Sequence, residues 1–321
     1  MTHPSPFFIV GHPRSGTTLL RFMLSSHPRL YIPEETGFIP FLLPRRMYHT
    51  PISVAQTRRL LARIARLNYL WRDVVTDVPA FHASLPAPTL PVILDALYHR
   101  QIAPFGAQRW GDKTPLYVQH IPLLANLFPG AQFIHIIRDG RDAALSARKK
   151  WGYAYQDLTY LLHHWVRNVR AGQRDGVALG EARYLEIRYE TLVQQPQASL
   201  EAVCRFLGED FHPQMLHHTA LAQKVGPGPD GHTEILKPIS TSSVGRWQRE
   251  MSAFQQKLAA RIAGPLLDAL GYPMPALSPC TPAETLRFWA LEARFYGIDT
   301  LRTSLYRLGI LTLNRTMRRK A

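Results

Sequence analysis

Short apolar runs alternate along this chain with longer stretches in which apolar side chains recur at helical spacing. Three runs predict buried strands, because they are continuous, rich in β-branched and aromatic residues, and bounded by turn residues. They cover residues 7–10, 132–137 and 184–188. Uniformly apolar strands separated by helices predict a parallel sheet covered on both faces, which is an α/β fold.

The helical pattern recurs in eight segments. The predicted helices cover residues 16–27, 53–70, 92–102, 141–151, 158–174, 198–207, 252–270 and 282–314. Four prolines in residues 79–91 predict an extended connection. Residues 223–245 are rich in Gly, Pro, Ser and Thr, and they predict a long loop of the kind that is functional or disordered.

Neither an internal repeat nor a domain-scale linker interrupts the pattern, so the sequence predicts one main domain. We expect this domain to cover residues 1–275. Residues 276–321 form a basic helical extension, which we expect to pack on the same domain. In residues 282–321 eight Lys or Arg residues face three acidic ones, and apolar residues recur at roughly helical spacing. Such a helix can also lie on an anionic membrane, which makes peripheral membrane contact an alternative.

Composition adds constraints on location and partners. Of 321 residues, 46% are hydrophobic, which allows a sizeable core, and the two cysteines provide no disulfide framework. With no leader-like start and no apolar run of ~18–20 residues, the sequence predicts a cytoplasmic protein. The net charge of +15 and pI of about 10.1 indicate polyanionic partners. The basic residues form no recognisable nucleic-acid-binding module, so we expect no specific nucleic acid partner.

The first predicted strand ends in a loop with the spacing of a phosphate-binding P-loop. Gly11 and Gly16 lie five residues apart, and the predicted helix follows directly. Thr17 replaces the lysine that serves the phosphates of a nucleoside triphosphate. Arg14 instead offers a planar fork of donors suited to a tetrahedral oxyanion. The alternative is a glycine-containing turn that binds no ligand.

The whole segment, Pro13-Arg14-Ser15-Gly16-Thr17-Thr18, resembles the 5′-phosphosulfate loop of sulfotransferases that use 3′-phosphoadenosine 5′-phosphosulfate (PAPS). The resemblance implies a P-loop NTPase-like sulfotransferase fold. It also implies that the loop residues bind the co-substrate and that Arg14 is a catalytic residue as well. The loop residues are Arg14, Ser15, Gly16, Thr17 and Thr18.

Two further elements resemble the nucleotide site of the same family. Arg138 ends the second predicted strand, and Ser146 follows two helical turns later, as in the family's 3′-phosphate site. Lys150 takes the place of an arginine in some relatives, and Tyr189 follows the third predicted strand as a nucleotide contact. The alternatives are a surface ion pair for Arg138 and a buried structural role for Tyr189.

The pair Glu34-Glu35, followed by Thr36, resembles the Glu-Glu-Thr element of tyrosylprotein sulfotransferases and their bacterial relatives. In those enzymes the second glutamate is the general base, which implies that role for Glu35. Transfer to a hydroxyl benefits from such a base. The alternative is that both glutamates are solvated charges at a helix terminus.

Residues Trp110-Gly111-Asp112-Lys113-Thr114-Pro115 resemble the family's Lys-Thr-Pro element. The resemblance implies a catalytic Lys113 that neutralises charge on the sulfuryl oxygens or on the leaving phosphate. A solvated surface lysine is the ordinary alternative. We expect Asp112 to orient Lys113 rather than to take part in the chemistry.

The long loop resembles the segment that folds over the adenine and 3′-phosphate in this family. Lys237 and Arg246 are the implied contacts, and both belong to matching stretches of the chain. One departure concerns the acceptor: where tyrosylprotein sulfotransferases have a serine that helps to bind the transferring group, this chain has Gly231, followed by His232 and Thr233. Protein tyrosine is therefore only one of several possible acceptors.

Taken together, the resemblance implies a metal-independent sulfotransferase that uses PAPS and a hydroxyl acceptor, which could be a glycan, a lipid, a small molecule or a peptide. Two alternatives remain. A P-loop kinase or NTPase is disfavoured by Thr17 and by the lack of a second metal-binding aspartate after an apolar strand. An inactive nucleotide- or polyanion-binding protein is disfavoured by Glu35 and Lys113.

Overall fold

A computed structural model describes residues 4–151, 157–226 and 233–307. Its strands are β1 (Phe7–Gly11), β2 (Leu30–Tyr31), β3 (Arg109–Lys113), β4 (Gln132–Ile137) and β5 (Tyr184–Arg188). Its helices are α1 (Thr17–Ser25), α2 (Val54–Leu67), α3 (Val78–Ala83), α4 (Leu90–Ile102), α5 (Ile121–Leu127), α6 (Gly140–Trp151), α7 (Leu158–Val177), α8 (Tyr189–Gln194), α9 (Pro196–Leu207), α10 (His218–Val225), α11 (Trp247–Glu250), α12 (Ala253–Ala269) and α13 (Pro282–Arg307).

The strands form one parallel sheet in the order β2–β3–β1–β4–β5. Side chains alternate between the two faces of a strand. On β1, Phe7 and Ile9 pack in a cluster with residues of α1 and α9, whereas Phe8 and Val10 pack in a second cluster with residues of α4 and α5. The predicted α/β fold, a parallel sheet flanked by helices, is confirmed.

The parallel arrangement brings the carboxyl ends of the strands to one edge of the sheet, where ligands bind in open α/β folds. The segments that follow β1, β3, β4 and β5 begin at His12, Thr114, Arg138 and Tyr189. Three of the elements that resemble the sulfotransferase site therefore leave the sheet at this edge, and Lys113 itself ends β3.

Strand β3 is a structural finding that the apolar pattern did not predict. Its sequence, Arg-Trp-Gly-Asp-Lys, contains three charged residues, yet all five positions are buried. The strand fits beside β1 because Gly111 has no side chain: a Cβ there would lie 2.5 Å from the ring of Phe7. Burial of charged residues is unusual unless they have partners, and the partners of Asp112 and Lys113 belong to the candidate active site.

The expectation of an extended connection over residues 79–91 was wrong at both ends. Helix α3 includes Pro79 in its first turn and is capped by the side chain of Asp77, and α4 includes Pro91 in its first turn. Proline is compatible with these positions, because the first N–H groups of a helix have no partner within it. The long loop predicted over residues 223–245 is interrupted at two places, because α10 extends to Val225 and residues Thr233–Leu236 form a 3-10 helix. Residues 237–245 form neither helix nor strand, as predicted, and residues 227–232 lie outside the described part of the chain.

The described residues divide into two compact units, the first with residues up to 138 and 168–244, the second with 139–167 and from 245 onward. In the second unit α13 packs through Phe288, which stacks on Phe254, and through Phe295, which stacks on His163. The predicted domain boundary at residue 275 stays a prediction. The last predicted helical residues, 308–314, lie outside the described part of the chain.

Candidate active site

The loop after β1 has the geometry of an anion site. Gly16 adopts a left-handed conformation (φ 93°) immediately before α1, and no side chain caps that helix. The first N–H groups of a helix need partners, and together with the helix dipole they attract anions. The buried Ser15 hydroxyl has no hydrogen-bond partner within the described residues. An oxyanion of PAPS bound in this loop would supply one, so the residues fit the group.

Arg138 and Tyr189 both contact the phosphate-binding loop. Arg138, which is buried, donates from Nη1 to the carbonyl of Arg14 (3.0 Å) and from Nη2 to the carbonyl of Ser243 (2.6 Å). Its guanidinium lies 4.4 Å from the ring centre of Tyr189. That ring also fits against Gly16, where a Cβ would lie 2.4 Å from it. The predicted contact of Arg138 with a 3′-phosphate stays a prediction.

Arg14 has a positive φ of 72°, which is uncommon for a residue with a side chain. Strained backbone of this kind persists where the surroundings hold it, and here Arg138 binds the carbonyl of the same residue. His12, at the start of the loop, is buried and contacts Asn168 of α7 through its ring nitrogen. The loop is therefore held in place by long-range side-chain contacts as well as by its own turn.

The two neighbouring glutamates have different partners. Glu34 accepts a hydrogen bond from Arg21 (2.7 Å), a buried side chain that also donates to the carbonyl of Ile32 (2.9 Å). Glu35 instead forms an ion pair with Lys113, and its carbonyl accepts a hydrogen bond from Asn68 (2.8 Å). Glu34 thus compensates a buried arginine, which leaves Glu35 as the carboxylate beside the loop.

Lys113 connects Glu35 with the phosphate-binding loop. Its side chain is 2% exposed, and the ammonium group donates to Glu35 Oε1 and to the hydroxyl of Thr18 (3.4 Å) in the first turn of α1. A buried ammonium group without a partner would be very costly, so this pairing is expected. The structure brings together a carboxylate, an ammonium group and the loop, as the resemblance implied. A solvated Lys113 is excluded by its burial, and the alternative that both glutamates are merely solvated charges is disfavoured because each pairs with a buried cationic side chain.

Asp112 was expected to orient Lys113, but its carboxylate has other partners in the structure. Its carboxylate accepts hydrogen bonds from the hydroxyls of Thr36 (2.6 Å) and Tyr98. Burial raises the pKa of Asp112, and the hydrogen bonds from Thr36 and Tyr98 oppose that shift. Side chains alternate between the two faces of a strand, so neighbours such as Asp112 and Lys113 point to opposite sides. The sequence analysis gave Thr36 no role beyond its place in the Glu-Glu-Thr element, and it did not find Tyr98.

The other predicted nucleotide contacts are distributed over the two units, and each is described within its own unit. In the first unit, Lys237 is exposed and pairs with Glu234. In the second unit, Ser146 and Lys150 lie on α6, where Lys150 is exposed. Arg246, also in the second unit, pairs with Glu250 (2.7 Å). These contacts stay predictions, and Gly231 and His232 lie outside the described residues.

The segment that carries Arg246 is fixed within the second unit by Asp142. The Asp142 carboxylate accepts hydrogen bonds from the backbone N–H of Gly245 (2.7 Å) and of Trp247 (2.8 Å). Arg141, which pairs with Asp139, lies 3.6 Å from the ring centre of Trp247. The strand-end sequence Arg-Asp-Gly-Arg-Asp therefore serves in part to anchor the start of α11.

A surface cavity of about 340 Å³ lies apart from these residues. It is lined by residues 27–29 and 208–212 of the first unit and contains none of the predicted site residues. The candidate active site is therefore defined by the loop and the Glu35–Lys113 pair rather than by this cavity.

The parallel α/β sheet, the P-loop without its lysine and the adjacent carboxylate–ammonium pair agree with the resemblance to sulfotransferases that use PAPS. Comparison with known proteins agrees: the sequence model of the "Sulfotransferase family" matches residues 6–213. The chain therefore belongs to the sulfotransferase family, an enzyme class that uses PAPS.

Two curated relatives illustrate the similarity. The chain is 30% identical over 274 residues to "Protein-tyrosine sulfotransferase 2" of Gallus gallus, an alignment that covers 83% of this chain and 68% of the relative. It is 27% identical over 276 residues to "Protein-tyrosine sulfotransferase" of Drosophila melanogaster, covering 83% of this chain and 51% of that protein. The chain thus spans between half and about two thirds of these relatives.

Solved structures show the same fold. The "Sulfotransferase Domain from the Curacin Biosynthetic Pathway" superposes with a TM-score of 0.60 at 22% identity, over 86% of this chain and all of that domain. The "Sulfotransferase Domain from the Synechococcus PCC 7002 Olefin Synthase" superposes with a TM-score of 0.55 at 26% identity, over 86% of this chain and 98% of that domain.

Proposed function

We propose that Glu35 is the general base and Lys113 the main cationic group in sulfuryl transfer from PAPS to an acceptor hydroxyl. The observation that carries the proposal is the Glu35–Lys113 ion pair, which contacts Thr18 at the start of α1. Lys113 is thereby close both to the loop that fits the 5′-phosphosulfate and to the carboxylate that can take a proton.

The proposed roles balance the reaction. Glu35 accepts the proton of the acceptor hydroxyl while the oxygen of that hydroxyl forms a bond to sulfur. A general base of this kind increases the rate by about 10²–10⁴-fold. The bond between sulfur and the 5′-phosphate oxygen breaks, and its electrons remain on the phosphate. Lys113 and the N–H groups at the start of α1 stabilise the charge that develops there. Fixed donors of this type contribute about 3–4 kcal/mol each.

The remaining predicted contacts complete the nucleotide site. Arg14 and Ser15 would hold the 5′-phosphosulfate in the loop, and Arg138 the 3′-phosphate, with Tyr189 beside it. The positions of Arg138 and Tyr189 against the loop support this assignment. The predicted roles of Ser146, Lys150, Lys237 and Arg246 are part of the same proposal.

For the acceptor we propose a tyrosyl hydroxyl as the first candidate. The support is that the curated relatives are named protein-tyrosine sulfotransferases. Gly231, at the place of the serine of those enzymes, argues for testing other hydroxyls beside it. Glycans, lipids and small molecules therefore remain in the experiment.

Sulfate-labelled PAPS tests this function with a panel of acceptors: a tyrosyl peptide, a simple phenol, an aliphatic alcohol and an oligosaccharide. We expect labelled product from at least one of them, and the peptide to give the highest rate. In parallel, calorimetry with 3′-phosphoadenosine 5′-phosphate (PAP), ATP and duplex DNA separates the alternatives. Tight binding of PAP alone supports the proposal. Preference for ATP would indicate a kinase or NTPase, and PAP binding without any transfer would indicate an inactive nucleotide-binding protein.

Metal independence and cytoplasmic location are further parts of the proposal. Lys113, Arg14 and the start of α1 could supply the positive charge that a metal provides in other transferases. Transfer should therefore continue at an unchanged rate in excess EDTA, and a loss of rate that Mg²⁺ restores would contradict this. Fractionation of cells that express the untagged protein tests the location.

We also propose that one face of α13 contacts anionic membrane. Its acidic residues face its own unit, where Glu284, Glu292 and Asp299 pair with Lys257, Arg261 and Arg167. Large apolar residues face solvent instead, and they are 57–73% exposed: Leu286, Trp289, Tyr296 and Leu301. Arg287 and Arg294 are also exposed. No described helix is long and apolar enough to span a membrane. An exposed apolar face with flanking arginines is typical of helices that lie on a membrane.

Co-sedimentation with phosphatidylserine-containing vesicles tests this contact. The variant Leu286→Asp/Trp289→Asp should lose binding that the parent protein shows. The control is Val177→Asp, which changes a residue of α7 that is equally exposed at 68%. Equal sedimentation of all three proteins, or none with any of them, would contradict the proposal.

A further inference from the structure

A buried chain of hydrogen bonds lies directly behind the Glu35–Lys113 pair. The backbone N–H of Ile39 donates to the hydroxyl of Tyr117 (3.0 Å), which contacts the hydroxyl of Thr36 (2.8 Å). Thr36 in turn donates to Asp112 (2.6 Å), which accepts a second hydrogen bond from Tyr98. The three hydroxyls each have a partner in this chain, as buried polar groups require. Both hydrogen bonds to Asp112 go to Oδ2, and its buried Oδ1 has no hydrogen-bond partner within the described residues.

The position of the chain in the sequence gives it its significance. Thr36 directly follows Glu35, and Asp112 directly precedes Lys113. Lys113 is fixed by the sheet, because β3 pairs with β1 and β2. Glu35 lies in a segment that is neither helix nor strand. Its place relative to Lys113 therefore depends on side-chain contacts.

A second link joins the same two segments. The hydroxyl of Thr114 accepts hydrogen bonds from the backbone N–H of Thr36 (3.3 Å) and of Gly37 (3.4 Å). These bonds are long, whereas the bond from Thr36 to Asp112 is short and made to a buried carboxylate. Hydrogen bonds to such groups are stronger than those between neutral groups. The Thr36 hydroxyl thus makes the shortest of these hydrogen bonds between the two segments.

We propose that Thr36 is a positioning residue: its hydroxyl, bound to Asp112, holds the Glu35 carboxylate where it can accept the proton of the acceptor. This inference rests on the proposed role of Glu35. Thr36 touches neither substrate nor co-substrate in this account. Its contribution therefore appears in turnover and not in nucleotide binding.

Stability alone does not explain the chain of hydrogen bonds. Replacing buried polar groups by apolar groups of the same shape is often neutral or stabilising. Burial raises the pKa of Asp112, which means that it destabilises the ionised carboxylate. The hydrogen bonds from Thr36 and Tyr98 offset this destabilisation only in part. A group that fixes the geometry of catalysis would account for that cost, because a displacement of about 1 Å lowers a rate by up to about 100-fold.

The variants Thr36→Ser and Thr36→Ala test the proposal, since they differ only in the hydroxyl. We measure transfer from labelled PAPS to the panel acceptor with the highest rate, PAP affinity by calorimetry, and thermal stability. Thr36→Ala should lower kcat by about 10- to 100-fold, with PAP affinity and the KM for PAPS within about two-fold of the parent. Thr36→Ser should remain within about three-fold of the parent in kcat. Thr57→Ala, at a buried threonine of α2, is the control and should leave kcat unchanged.

A second arm separates positioning from general damage. If Thr36 acts through Glu35, Thr36→Ala should cause no further loss in a Glu35→Gln background, because the base is already absent. Equal kcat for the Ser and Ala variants would overturn the inference. So would independent, multiplicative losses in the double variant. If Thr36→Ala is poorly folded, Thr36→Val, which keeps the volume, carries the same expectation.

The outcomes also distinguish this inference from the function on which it rests. If Glu35→Gln turns over at the parent rate, the assignment of the base fails whatever Thr36 does. If Glu35→Gln is inactive and Thr36→Ala is normal, only the positioning role of Thr36 fails.

Discussion

The phosphate-binding loop and the Glu35–Lys113 pair contribute to one reaction but are constructed differently. The loop consists of consecutive residues, and its donors are the backbone at the start of α1. The pair joins side chains 78 positions apart, which only the complete sheet and a buried network of hydroxyls bring together. The donors of the loop are therefore consecutive in sequence, although contacts from Arg138 and Asn168 hold the loop in place. The two groups of the pair, in contrast, are brought together only by tertiary packing.

This difference predicts that the two functions can be separated by mutation. Changes behind Glu35 or Lys113 should lower turnover and leave PAP affinity intact. Changes in the loop should lower PAP affinity first. The next three experiments follow from this comparison, in order of decreasing expected effect.

Lys113→Met removes the ammonium group and keeps an unbranched side chain. We expect kcat to fall by about 10²–10³, the cost of losing one fixed donor to a developing charge. Lys224→Met, at an exposed lysine of α10 to which no role is assigned, is the matched control and should change kcat by much less. PAP affinity by calorimetry should change less than kcat for Lys113→Met. A fall in affinity as large as the fall in kcat would place Lys113 with the loop rather than with the base.

Arg14→Ala and Arg138→Ala should each weaken PAP binding by about 1.5–3 kcal/mol, the range for hydrogen bonds to charged groups. The two variants should differ with adenosine 5′-phosphosulfate, which has no 3′-phosphate. Arg14→Ala should weaken its binding to a similar extent, and Arg138→Ala hardly at all. Arg138 also donates to the carbonyl of Arg14. Equal losses with both nucleotides would show that Arg138 acts by supporting the loop.

Gly16→Ala tests the packing of the loop against Tyr189. The new Cβ would meet the tyrosine ring at 2.4 Å in a left-handed backbone conformation. Gly208 also has a positive φ, but a Cβ there would meet nothing within 4 Å. Gly208→Ala therefore measures only the cost of a side chain in the left-handed backbone conformation, about 1–2 kcal/mol. We expect Gly16→Ala to cost about 1–3 kcal/mol more in urea unfolding, because the ring must move. An equal loss in the free energy of unfolding for the two variants would mean that the Tyr189 ring moves aside without measurable cost.

The same contrast explains what the sequence revealed. Strands β4 and β5 were predicted at the residues where they occur, and the loop was recognised, because each is encoded by neighbouring residues. Glu35 and Lys113 were found only by their resemblance to family elements. Their contact, and the roles of Thr36 and Tyr98, follow from tertiary structure that no local pattern encodes.

The errors have a related cause. Strand β3 lacks the apolar pattern because its charged residues are satisfied by partners distant in sequence, as the Asp112–Thr36 hydrogen bond shows. Pro79 and Pro91 suggested an extended chain, but they lie in the first turns of α3 and α4. Proline is compatible with these positions because the N–H group it lacks would have no partner within the helix. Asp112 was expected to orient Lys113, although neighbours on a strand point to opposite faces.

The most direct test of the central claim compares Glu35→Gln with Glu34→Gln in transfer of labelled sulfate from PAPS to the best acceptor of the panel. The two variants make the same chemical change one residue apart. We predict that Glu35→Gln lowers kcat by about 10²–10⁴ with PAP affinity unchanged, because it removes the proton acceptor and keeps the shape. Glu34→Gln, whose partner is Arg21, should retain most of the rate. An active Glu35→Gln beside an inactive Glu34→Gln would contradict the account.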